Sequence, residues 1–126
     1  MIKTRLIIEI AGFPKGHIEE TMKAVIAKIK SEKKVLKYDI FEAEKKDKFF
    51  STFTEIEIEF SSLDDLSGFC FDYMPSSIEI LSPNKLNIDS KEYENIFNDI
   101  LAKLHHYDMI IKNLKAENML LKRKQG

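Results

Sequence analysis

Tyr93, Ile100, Tyr107, Leu114 and Leu121 recur at every seventh position, and Phe97, Leu104, Ile111 and Asn118 recur at every seventh position between them. Only a helix places residues with this spacing on one stripe, and a stripe this narrow is closed by a second helix. The end of the chain is therefore constrained to one long amphipathic helix, with Asp89 or Ser90 expected as its cap. Such a helix speaks about assembly and names no reaction.

With Phe97, Leu104, Ile111 and Asn118 at a, the d positions are Ile100, Tyr107, Leu114 and Leu121, with Tyr93 one heptad earlier. The segment Leu114-Lys115-Ala116-Glu117-Asn118-Met119-Leu120-Leu121 resembles a leucine zipper. A single Asn at a, facing its own copy, favours a parallel in-register dimer at some cost in stability. The flanking charges agree: Lys103 at g would meet Asp108 at e of the second copy, and Glu117 would meet Lys122. The likeness stops short of DNA-binding zippers, which carry a basic helix before the seam. Here that stretch is Asp89-Ser90-Lys91-Glu92-Tyr93-Glu94-Asn95, acidic on balance. The basic residues Lys122, Arg123 and Lys124 follow the seam, where they complement the helix dipole. Leu101 and Ile110 widen the stripe, as in a helix lying on its own domain, so the first half could pack there while the second half projects.

Residues 1–84 read as a separate α+β domain, with 85–126 as the coiled-coil helix. Alternation from Thr4 to Ile10 predicts a strand. Ile18, Met22, Val25, Ile26 and Ile29 share a helical face, and Val35 to Phe41 reads as a second strand. Glu42 to Lys48 reads as a charged turn, and Phe49 to Phe60 as the strongest strand, with Phe50, Thr52, Thr54, Ile56, Ile58 and Phe60 on one face. Ser61 or Ser62 is expected to cap a short helix burying Leu63, Leu66, Phe69, Cys70 and Tyr73, stopped by Pro75. Ser77 to Leu81 is a last strand, with Ile78 and Ile80 expected inward. The order βαββαβ resembles the ferredoxin-like superfold, which implies a four-stranded antiparallel sheet with two helices on one face. A superfold shared by many functions assigns none.

The other sheet face would carry Glu55, Glu57 and Glu59 beside Lys3 and Arg5. This is either a salt-paired solvated face or an acidic docking surface for a basic partner. RNA-recognition motifs share the element order, and Leu6 to Pro14 resembles their first-strand motif. Those domains stack bases on exposed aromatics, whereas a row of carboxylates repels phosphates, so nucleic acid on this sheet is disfavoured despite Phe49 and Phe53. Gly12, Lys15, Gly16 and His17 join the first strand to the first helix and form a candidate ligand or anion loop, read otherwise as a glycine-dependent turn. The element order also resembles ACT-like ligand-binding domains, which often use this loop across a dimer interface. That resemblance implies small-molecule sensing.

Catalytic residues are absent from this reading. Cys70 stands alone, and His105 and His106 are adjacent on the helix and point about 100° apart, so one chain cannot chelate a metal with both. No triad, metal cluster or carboxylate pair emerges, and no cofactor is expected. Net charge is −1, from 20 basic and 21 acidic residues, which argues against general binding to nucleic acid or a membrane surface. The apolar run from Leu6 is too short for a signal core or a membrane span, so a cytoplasmic location is expected. The resulting expectation is a non-enzymatic homodimeric interaction or regulatory module. An ACT-like sensor is the alternative, and a nucleic-acid accessory protein acting through its basic end is a third reading.

Overall fold

A computed structural model describes residues 1–125. The elements run β1 (Ile2–Gly12), α1 (Lys15–Glu32), β2 (Lys34–Ile40), β3 (Glu44–Lys46), β4 (Phe49–Phe60), α2 (Leu63–Tyr73), β5 (Ser77–Ser82) and α3 (Ser90–Gln125). The chain divides into two compact units between Leu86 and Asn87.

In the first unit the strands form one antiparallel sheet in the order β2-β4-β1-β5. β4 lies between β1 and β2, as a split βαβ unit requires. The expected α+β architecture is present, with one correction. The charged segment read as a turn contains a fifth strand, β3, which pairs with the start of β4 through Lys45↔Phe50 and Lys46↔Phe49. Lysines and glutamates mask strand propensity in sequence, but the long β4 offers free main-chain groups past the end of β2. Asp47 makes the tight reversal with φ 56°, a left-handed conformation that aspartate tolerates better than most residues.

Alternation on the long strands decides where the core lies. Leu6 and Ile8 of β1 and Ile56, Ile58 and Phe60 of β4 are buried on one face, against Met22, Ile26 and Ile29 of α1 and Leu66 and Phe69 of α2. Phe60 and Phe69 meet edge to face, with ring centroids 5.4 Å apart. The core threonines are handled differently. Thr4 donates to the Ile58 carbonyl at 2.9 Å and Thr52 to the Phe41 carbonyl at 2.6 Å, whereas the buried Thr54 hydroxyl has no hydrogen-bond partner among the described residues.

Ser62 caps α2 by accepting from the Asp65 amide at 3.1 Å, and Met74 ends the helix in the left-handed region. Of the residues expected to be buried, Leu66 and Phe69 are, while Leu63, Cys70 and Tyr73 are half-buried. The expectation for Ile78 and Ile80 needs correction. Both lie on the helix side, opposite Leu6 and Thr4, yet they remain 44% and 42% exposed. β5 is an edge strand, and the helices lie chiefly over the rest of the sheet: α1 packs over β1, β2 and β4, and α2 over β4.

The second unit is α3, 36 residues or roughly 54 Å of helix. Asp89 caps it, accepting from the Glu92 amide at 2.8 Å. Neither this helix nor any other among the described residues is long and apolar enough to cross a membrane.

Candidate interaction surfaces

No residue of α3 is buried. Every large apolar side chain of the seam is exposed, from Tyr93, Phe97 and Ile100 through Leu104 at 59%, Tyr107 and Ile111 to Leu114 and Leu121. Asn118 is exposed between them. Tyr93 and Phe97 meet with their rings tilted at 45° and their centroids 4.8 Å apart. Leu101, Ile110, Met119 and Leu120 are exposed as well, so the apolar surface exceeds a strict two-stranded seam. Asp108 is already paired within its own helix, with Lys112 at 2.8 Å, which would compete with any pairing to Lys103 of a second copy.

The β1–α1 connection is less open than its sequence suggests. Lys15 Nζ lies 2.8 Å from a Glu42 carboxylate oxygen. That pairing raises the lysine's pKa and lowers the glutamate's, chiefly through the shared hydrogen bond. The cation that would attract an anion therefore already has one. Gly16 lies inside α1, with open space where a Cβ would stand, and no described glycine has positive φ. The turn is thus not glycine-dependent in the expected sense. Gly12 is the more closely packed position: a Cβ there would meet Cδ1 at the tip of the Ile18 side chain at 2.8 Å, and that tip would have to shift. His17 is exposed, and its carbonyl accepts from the Thr21 hydroxyl at 2.7 Å.

The row Glu55, Glu57, Glu59 is one row in sequence and two environments in space. Glu57, only 7% exposed, stands opposite both Arg5 and Lys37, with its carboxylate 3.7 Å and 3.1 Å from their nitrogens. Glu59 pairs with Lys34 at 2.6 Å. The close approach of these lysines leads the effects that lower both carboxyl pKa values. Glu55 has no such relief from its neighbours across the sheet, which are Ile7 and Asp39. The acidic surface shrinks to Glu55 and Asp39, which line a cleft of about 350 Å³ together with Arg5, Lys37, Tyr38 and Glu57.

Sequence reasoning missed two phenylalanine pairs near one end of the sheet, one on each face. Phe41 and Phe53 stack at 4.5 Å, and Phe13 lies 6.3 Å from Phe50. Register makes each pair: β1 against β4 sets Gly12 beside Phe50, and at the end of β2 the Phe41 amide donates to the Phe53 carbonyl at 2.9 Å. No group of three or more metal-ligating side chains occurs among the described residues.

No curated protein and no solved structure matches the chain. A family model does match, over residues 3–123, and so covers both the sheet domain and most of α3: the chain belongs to the MJ0538 family.

Proposed function

We propose that this protein is a non-enzymatic homodimeric interaction module whose two copies join through their α3 helices, parallel and in register. One observation carries the reading: a 36-residue helix buries no residue of its own and leaves its whole apolar seam exposed. Contiguous apolar surface of this extent marks an interaction site. The choice of a second copy as the occupant is supported by the self-complementary pattern. Asn118 matches itself in a parallel pair, and Glu117 at g faces Lys122 at e.

The test is the mass of the full chain in solution by light scattering, beside a Leu114→Glu variant. A dimer that dissociates in the variant supports the reading. A monomer at all accessible concentrations overturns it.

A further inference from the structure

The two edges of the sheet are protected unequally. β2 carries Lys34, Lys37 and Asp39 and a register shift between Val35 and Lys37, devices that discourage further strand pairing. β5 has neither lysine nor proline along Ser77–Ser82, and its irregularity, opposite Lys3/Thr4, leaves Ser77 to Ile80 in regular pairing with β1. Its one charge, Glu79, is tied back to Arg5 at 3.0 Å. On its helix side Ile78 and Ile80 are both exposed, and Met74, just before the strand, is 55% exposed. An unguarded edge beside uncovered apolar side chains is a template for another strand.

We infer that β5 pairs antiparallel with β5 of a second copy, joining the two sheets edge to edge. The occupant follows from the sequence of the strand itself. Pairing centred on Glu79 sets Ile78 of each copy opposite Ile80 of the other, which makes two equivalent apolar contacts on the helix side. The two Glu79 carboxylates then face each other, each held by the arginine of its own chain. An isologous contact of this kind needs one two-fold axis, the same symmetry as a parallel pair of α3 helices. The inference deepens the homodimer reading and rests on it.

Hydrogen exchange on the full chain, at concentrations well below and well above its dimer dissociation constant, tests the idea. The amides of β5 that are not bonded to β1 are expected to slow about tenfold or more on dimerisation. Ile80→Lys is expected to raise the dissociation constant by about tenfold or more, which is about 1.4 kcal/mol. Ile80→Thr, which keeps strand propensity, serves if the lysine variant fails to fold. If α3 amides gain protection with concentration and β5 amides do not, edge pairing is overturned while the helix pairing stands. Protection of β5 that is independent of concentration would mean that its own chain covers the strand, which also overturns the pairing. A chain that stays monomeric overturns both.

Discussion

Glu57 Oε2 lies 3.1 Å from Lys37 Nζ, so a carboxylate in the middle of the nominally open sheet face is almost fully covered. The lysine comes from β2, and Arg5 approaches the same carboxylate from β1. The folded pKa of Glu57 is held below the ordinary 4.5, first by the adjacent Lys37 ammonium. A depressed acid contributes stability that is fully present above its unfolded pKa and is lost as pH falls through the folded value. Glu59, paired with Lys34, and Asp65, paired with Lys33 at 2.6 Å, act in the same direction. Urea unfolding is therefore expected to show constant stability from neutral pH down to about pH 5 and a steep loss below it. Glu57→Gln should flatten that acid limb, because one of the protons no longer has to be taken up.

Glu55 and Asp39 form the opposite case. They stand directly across from each other on neighbouring strands with no cation opposite either. Like charges in this relation destabilise, by roughly 0.2–1 kcal/mol. Asp39→Lys converts the pair to an attractive one and is expected to raise the midpoint of thermal unfolding. Added salt should shrink the difference between the two proteins, since the pair is exposed and screened. A midpoint unchanged at low salt would show that the two carboxylates do not sense each other.

Two threonines four-square in the core separate hydroxyls that work from one that does not. Thr52 and Thr54 are both fully buried on β4, but only Thr52 donates, to the Phe41 carbonyl at 2.6 Å. Thr54 leaves its hydroxyl unpaired among the described residues. Thr54→Val keeps the shape and removes the desolvated polar group, so it is expected to stabilise by about 1 kcal/mol in equilibrium unfolding. Thr52→Val strands the Phe41 carbonyl and is expected to cost about 1–2 kcal/mol. Equal effects at the two sites would contradict this contrast.

Periodicity made most of this fold legible. The faces of β1 and β4, the apolar stripe of α1 and the serine cap of α2 follow from local spacing, because each is fixed within a few residues along the chain. What escaped depends on neighbours distant in sequence. β3 exists because β4 is long enough to receive it. Ile78 and Ile80 alternate as core residues do, and only the lateral reach of the helices leaves them exposed. Lys15 looked like an anion ligand until the chain brought Glu42 to it from 27 residues away. The glutamates of β4 looked alike until register gave two of them cations and the third an aspartate.

Asn118 gives the proposed helix pairing its sharpest test. A buried Asn at a costs stability and in exchange restricts register and partner number, since each amide is satisfied only by its counterpart in a parallel two-stranded pair. Asn118→Val is therefore expected to tighten association while loosening its specificity. In sedimentation equilibrium, the variant should show a lower dissociation constant together with species larger than a dimer. Leu114→Glu, four residues earlier on the same seam, places two carboxylates at an apolar contact. Losing each leucine's burial costs roughly 2 kcal/mol, so the two together should weaken association by about a thousandfold. If Asn118→Val weakens association as Leu114→Glu does, the asparagine is making a contact that only its amide can make, such as one to a different protein, and the parallel homodimer assignment falls.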